Sequence, residues 1–351
     1  TIIAGTQYED TTASDAGSAY IFTGSGATWT QQAQIQASDA AATDYFGYSV
    51  SISGNTVVVG ARYDDDGGTN SGSAYVFVRS GTTWTQQAKL TASDAQASDD
   101  FGWDVDIDKD HIVVAAPRED TGANDAGAVY VFSRSGSTWT EIKKIQASIT
   151  VGSINYLGYG GAGIHDGTII TAAPNESTKA TYAGAAYIYG SQKVTNYYIT
   201  DAGKYSVDAT IAGLNYKTNE VEVTGSITPT KSWKENETQI LYASDAAASD
   251  GFGGFGQVAI SGNYAIVGAI GEDEGGSDAG AAYIFYKSGG TWAQQAKLLA
   301  SDAQASDKFG RSVSIYGDYV VVSSPFEDTT ATDSGSVYIF KRSGTTWSPV
   351  S

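Results

Sequence analysis

The chain has no cysteine and no methionine, and only two histidines and five prolines in 351 residues. Without cysteine there is no disulfide and no thiolate metal site; compartment is not decided by this, because many surface proteins lack disulfides. His111 and His165 fall in turns of different repeats, which excludes a histidine zinc cluster and a histidine-based nucleophile triad. No apolar run approaches the ~20 residues of a membrane helix, so a soluble chain with no membrane insertion is expected. The N-terminus shows neither a secretory leader nor an initiator Met, and the expectation is a processed or excised part of something longer. Basic residues are few: 20 Lys and Arg against 39 Asp and Glu give a net charge of -19, which argues against nucleic acid or an anionic membrane as partner. The six arginines, Arg62, Arg79, Arg118, Arg134, Arg311 and Arg342, are scattered and do not suggest a cluster for sialic acid.

What is abundant is glycine, at 42, and tyrosine, at 23, the composition of many turns and aromatic strands. The stretch from Phe46 to Leu90 holds four β-branched or aromatic runs: Phe46 to Ser53, Val57 to Ala61, Gly72 to Phe77 and Trp84 to Leu90. Turn residues separate them, so the stretch reads as a four-stranded antiparallel sheet. Trp29, Trp84 and Trp139 are spaced by 55 residues, as are Trp292 and Trp347; one further unit around Trp233 and an insertion of 43 residues fill the interval between. A sheet repeated at a fixed period is the signature of a propeller, whose blades bury their faces only against one another. The expected fold is all-β, a single propeller over 1–351 with six recognisable blades, or seven if flanking sequence supplies one. Each Phe-Gly strand should lie innermost and each Trp strand outermost. In this register Ile2 to Gly5 matches Val57 to Gly60, so blade one should lack its innermost strand.

The repeated Phe-Gly and Gly-Ala pieces resemble the FG-GAP repeat family, the β-propeller repeat of integrin α subunits and many microbial surface proteins. They stand here as Phe46-Gly47 with Gly60-Ala61, Phe101-Gly102 with Ala115-Ala116-Pro117, Leu157-Gly158 with Ala172-Ala173-Pro174, Phe252-Gly253 with Gly268-Ala269, and Phe309-Gly310 with Ser324-Pro325. The resemblance covers everything except about 190 to 232. It implies recognition at the loop-rich end. The family's calcium loop does not carry over, because the corresponding links are only Ser53-Gly54-Asn55, Ser261-Gly262-Asn263 and Tyr316-Gly317-Asp318. Asp104, Asp106, Asp108 and Asp110 are the nearest approach to it.

Acidic residues concentrate in two other kinds of link, which an up-and-down blade brings to one end. Between strands two and three lie Glu9 and Asp10, Asp64 to Asp66, Glu119 and Asp120, Glu272 to Glu274, and Glu327 and Asp328. Between blades lie Asp39 with Asp44, Asp94 with Asp99, Asp245 with Asp250, and Asp302 with Asp307. The opposite links hold Arg79, Arg134, Lys287, Lys341 and Arg342, so the molecule should be electrostatically two-faced. Such acids cap tight turns through backbone N–H groups. Their alternative use is calcium, with Glu9, Asp10, Asp39, Asp44, Asp94, Asp99, Asp302 and Asp307 as candidate ligands.

Blade four has lost both acidic loops. Ile149, Ile154 and Tyr156 stand in one and Lys179 and Tyr182 in the other, a less charged gap that is the candidate ligand contact. The insertion at 190–232 alternates like strands, and Asp201 to Tyr205 resembles the Tyr corner of immunoglobulin-like sandwiches; at ~40 residues it is at most a partial flap. Three functions remain open: a non-catalytic extracellular recognition or adhesion module of a cell or virion surface, binding a glycan or protein through the acidic loop face; a structural repeat of a filament or virion; and a glycan-active enzyme using paired carboxylates. The open edge of blade one also points to neighbouring domains or subunits joined by strand addition.

Overall fold

The computed structural model describes residues 1–121, 125–147, 156–193, 203–204, 222–223, 231–233, 237–254, 257–328 and 332–350. Among them there is no helix, and the strands form six consecutive antiparallel sheets of one propeller. Blade two shows the plan, running outward in chain order through Phe46–Ser53, Thr56–Ala61, Ser73–Ser80 and Thr83–Leu90. Blades three, five and six repeat it, beginning at Asp104–Asp108, Val258–Ser261 and Val313–Tyr316. The Phe-Gly pair thus opens the innermost strand and Trp stands on the outermost, as the 55-residue register requires.

Blade four keeps its three inner strands, Ala162–His165, Thr168–Ala173 and Ala185–Lys193. Its outer position is shared by two pieces, Lys231–Trp233 and Gln239–Leu241, both paired to the third strand. Trp233 lies opposite Ser191, the place where Trp84 lies opposite Arg79 in blade two. Between these strand ends, the described part of the insertion is Gly203–Lys204 paired with Glu222–Val223.

The blades are joined by a unit used repeatedly. Phe46, fully buried, meets Tyr75 and Phe77 of its own blade edge to face, with centroids 5.5 and 6.0 Å apart, and packs with Ile21 and Ala19 of blade one. Phe101, Phe252 and Phe309 repeat this with Tyr130 and Phe132, Tyr283 and Phe285, and Tyr338 and Phe340. Each buried Phe contributes about 2–3 kcal/mol. The backbones touch as well: a Cβ on Gly60 would lie 2.1 Å from the carbonyl oxygen of Gly102 in the next blade, and one on Gly72 only 1.9 Å from that of Phe101. The outer rim is closed by Trp, whose indole N–H donates to a Gln of the preceding blade: Trp84 to Gln32 at 3.0 Å, Trp139 to Gln87 at 2.9 Å, Trp347 to Gln295 at 3.1 Å.

The channel wall is tied across three blades. Asp104 accepts from Ser49 Oγ of blade two at 2.6 Å and from the N–H of Ala162 in blade four at 2.9 Å. Asp106 does the same with Ser51 and Ile164, at 2.7 and 2.8 Å, and Asp108 accepts from the N–H of Asp166 at 2.7 Å. These acids therefore act as staples between inner strands. Burial pushes the Asp104 carboxyl up to about 6.

Blade one has three strands, Ile2–Thr6, Ser18–Ser25 and Thr28–Ile35, and Ile2–Thr6 pairs only with Ser18–Ser25 among the described residues. Its Trp29 is 42% exposed, against 8% for Trp84, and donates back to Gly26 of its own hairpin. On blade six, Tyr319, Val321, Val337 and Ile339 are exposed, on strands whose counterparts in blade two are covered. The two terminal blades therefore each show one uncovered face.

The close approach at Gly72, where φ is +81°, sets a testable cost. Gly72→Ala should lower stability by about 3 kcal/mol. Gly54→Ala, at φ +61° but with open space around it, should cost about 1 kcal/mol. Urea denaturation of both variants measures the difference.

Candidate functional site

At the loop end the strand-two-to-three loops meet the inter-blade links through backbone bonds, such as Thr43 N–H to Ser14 and Tyr45 N–H to Asp15. Many of the acids cap these turns. Asp44, Asp99, Asp250 and Asp307 each accept the N–H three residues back, at 2.7, 2.8, 2.7 and 2.7 Å, and Asp10 accepts from Asp15 N–H at 2.8 Å. Burial pushes the Asp44 and Asp99 carboxyls up to about 6, against the pull of those N–H groups. Glu9 is held below the usual carboxylate range by the hydroxyls of Thr11 and Ser18.

The remaining acids converge on a lysine. Lys89 Nζ lies 2.8 Å from Asp39, 2.9 Å from Asp64 and 2.5 Å from Asp66. Lys297 repeats this with Asp245, Glu272 and Glu274 at 2.7, 2.8 and 2.7 Å, and Lys144 with Asp94 and Glu119, both at 2.7 Å. In blades two and five the three carboxylates lie within 4.8 Å of one another, close enough to share one cation. The ammonium stands at that position. Each lysine thereby ties the two loops of its blade together, and the carboxylates hold its pKa above the ordinary value despite burial. Asp302, in blade six, accepts instead from the Tyr338 hydroxyl at 2.6 Å. Of the candidate calcium ligands, Asp10, Asp44, Asp99 and Asp307 cap turns, Asp39 and Asp94 meet a lysine, and Glu9 and Asp302 accept from hydroxyl groups. The lysine was legible in the repeats, five residues after Trp84, Trp139 and Trp292.

A different chemistry gathers at the mouth of the channel. The residue before each Phe-Gly pair, or before Leu157-Gly158, takes the left-handed conformation: Tyr45 at φ 58°, Asp100 at 56°, Tyr156 at 52° and Lys308 at 57°. The residue after the pair, Tyr48, Trp103, Tyr159 or Arg311, joins the same cluster. Trp103 stacks on Tyr159 with centroids 4.7 Å apart and contacts Tyr48 at 5.2 Å. The Arg62 guanidinium lies over Tyr63, Tyr48 and Trp103 at 4.1, 4.3 and 4.7 Å. Asp100, completely buried, lies 3.9 Å from Arg62 and 3.6 Å from Arg118. Burial pushes its carboxyl up to about 6, and the two arginines oppose this. Arg311 faces Tyr48 and Tyr159 from blade six, and burial lowers its pKa while those phenols oppose.

The scatter of arginines in the sequence is thus corrected by the ring. Arg118 lines a cleft with Tyr159, Arg62 lies over the Trp103 ring that stacks on it, and the charges of both and of Arg311 bear on its phenol. Arg79, Arg134 and Arg342 remain at the other end, on Asn55, Asp110 and Asp318. Beside the cluster a cleft of about 460 Å³ is lined by Arg118, Tyr156, Tyr159, Asn175, Tyr182 and Lys308. Two of the sequence candidates, Tyr156 and Tyr182, are brought together there. Lys179 turns instead to Tyr242, its Nζ 5.0 Å from the ring centroid, at a second cleft of about 430 Å³ on the outer side of blade four. Ile149 and Ile154 lie outside the described residues.

A family model described as the FG-GAP repeat matches residues 29–77, 84–132, 236–285 and 292–340, more than half of the chain. The chain belongs to the FG-GAP repeat family. Each of the first two matches runs from the Trp of one blade to the third-strand Phe of the next, so the repeat unit straddles the interface between FG-GAP blades. Blade four's inner strands lie outside the matches. No curated protein matches the chain.

Removing a lysine tests the electrostatics of the loops. Lys89→Met leaves buried Asp64 facing Asp39 and Asp66 without a cation and should lower stability by about 2 kcal/mol, the lysine being partly exposed. Millimolar calcium should raise the melting temperature of this variant more than that of the parent. Equal responses in a thermal melt would show that the three carboxylates cannot exchange an ammonium for a metal.

Proposed function

We propose that this chain is a non-catalytic recognition module of an extracellular protein, on a cell or virion surface, that holds a glycan or protein ligand at its loop-bearing end. The observation that carries this is the cleft beside the channel mouth. Flat tyrosine faces line it next to Arg118 and Lys308, and Asp278 adds an acceptor 3.0 Å from Lys308. Aromatic faces with a few convergent polar groups suit a ligand held by stacking and hydrogen bonds. A histidine-assisted hydrolysis has less support, because His111 and His165 sit on the inner hairpins Asp108 to His111 and His165 to Thr168, away from this end. No described helix is long and apolar enough to cross a membrane.

Tyr182 is 55% exposed, so its truncation spares the fold. On a glycan array with and without calcium, the parent should bind a restricted set, and Tyr182→Ala should lose about tenfold in affinity, the scale of one aromatic contact. Silence on the array and against candidate surface proteins would leave the structural reading.

That second reading has its own observation, the unpaired inner edge of Ile2–Thr6. We propose that a partner segment adds a strand there, as Phe46–Ser53 does to Thr56–Ala61. A synthetic peptide with the sequence of 46–53 should raise the melting temperature, and a scrambled one should not. If both peptides behave alike, the edge is not an acceptor.

A further inference from the structure

The mouth of the channel carries an arrangement at odds with the rest of its face. The chain bears a net charge of -19 and its acids crowd this end, yet Arg118 and Lys308 line the cleft with Tyr159, and Arg62 lies over the Trp103 ring that stacks on that tyrosine, while Arg311 adds its charge from blade six. These cations come from blades two, three and six. The acid set closest to them is Asp100, and it satisfies them poorly. Its separations of 3.9 and 3.6 Å from Arg62 and Arg118 are ion-pair distances, and neither carboxylate oxygen has a hydrogen bond, nor does the buried Nε of Arg62. A guanidinium carries five donors in a planar fork matched to two acceptor oxygens. Asp100 holds the charges in place without using that geometry.

Resting on the recognition reading above, we propose that this is a site for an acidic sugar. Its carboxylate or sulfate lies at the Tyr159 end of the cleft on Arg118, with Arg62 behind it across Asp100, and its ring lies against Tyr156, Tyr159 and Tyr182. The aromatic faces present the flat surface that the C–H faces of a pyranose need, while Asn175 and Asp278 offer partners for its hydroxyls. An acidic peptide would meet the same arginine, but the sugar is favoured because three tyrosine faces line the cleft and its loop-built walls offer no sheet edge to hold an extended backbone. The acidic loops do not forbid an anion. At physiological salt, repulsion between exposed charges is screened beyond about 8 Å, whereas contacts with partly buried guanidinium groups are not.

The test is an array carrying carboxylated, sulfated and neutral glycans together with acidic peptides, followed by titration of the best glycan into the parent, Arg118→Gln and Asp100→Asn. Arg118 is half exposed and shares Asp100 with Arg62, so its replacement should lower the melting temperature only slightly while weakening binding at least tenfold. Asp100→Asn removes the internal anion and keeps a residue that tolerates the left-handed backbone, so it should tighten binding several-fold. Binding confined to carboxylated or to sulfated members identifies which acid the arginines read. Preference for neutral glycans would overturn the acidic-sugar site and leave the recognition module standing, and preference for acidic peptides would do the same. No binding by any member would overturn the acidic-sugar site, and silence against candidate surface proteins as well would remove the recognition module. An Arg118→Gln protein that binds an acidic glycan as the parent does would also overturn the site.

Discussion

The contact on which the molecule depends is the seating of one backbone on another where consecutive blades meet. The carbonyl oxygens of Gly47, Gly102 and Gly310 stand about where a Cβ of Gly5, Gly60 and Gly268 would be, at 2.0, 2.1 and 2.1 Å from it. This is the physical content of the repeat: one glycine turns the chain into the innermost strand, and a second glycine, a blade earlier, leaves room for it. The buried Phe beside it then fixes the spacing of the sheets. Blades three and four relax the rule by placing Ala115 and Ala172 at the second glycine's position; blade four alone also replaces the Phe, by Leu157, and it is there that the outer strand divides and the insertion departs.

Close seating of the inner strands also determines what the channel mouth contains. Because the residue before each Phe-Gly pair is left-handed, the chain bends sharply there and both neighbours of the pair reach the loop end. Those positions carry no packing duty common to all blades, so they diverge: Tyr45, Asp100, Tyr156 and Lys308 before the pair, Tyr48, Trp103, Tyr159 and Arg311 after it. A conserved backbone turn with variable side chains is how a rigid scaffold presents a recognition surface.

The architecture was legible in the sequence because it rests on local repetition. Fifty-five residues between tryptophans, with turns at fixed offsets, specify a blade without any knowledge of which blade touches which. The arginine cluster was not legible in the same way. Arg62 and Arg311 are brought near one tyrosine by the rotation of the whole ring, and neither occupies a position where other blades hold arginine. A weaker signal existed, since Arg62, Arg118 and Arg311 all lie within three residues of a repeat glycine or its alanine counterpart, where the chain turns at the channel mouth. The acids were legible as a ring, but their partners were not. Periodicity shows carboxylates at alternate loops and is silent on whether an ammonium, a backbone N–H or a metal meets them.

The lysines also account for the position of the cleft. In blades two, three and five a lysine on the outer strand draws the inter-blade Asp and the loop acid onto one point, closing the blade's two loops over each other. Blade four has Ile240 at that place, opposite Tyr187 as Lys89 is opposite Tyr75, and its loop acid Glu176 is bonded to Thr178, with its second oxygen buried and without a hydrogen bond. No ammonium ties the loops of blade four among the described residues. Tyr156 and Tyr182, which precede and follow the missing tie, therefore line an open cleft beside the arginines. The loss of charge that marks blade four in the sequence and the opening that marks it in the structure have one cause, the loss of the lysine-centred acid cluster, with Ile240 in the lysine's place.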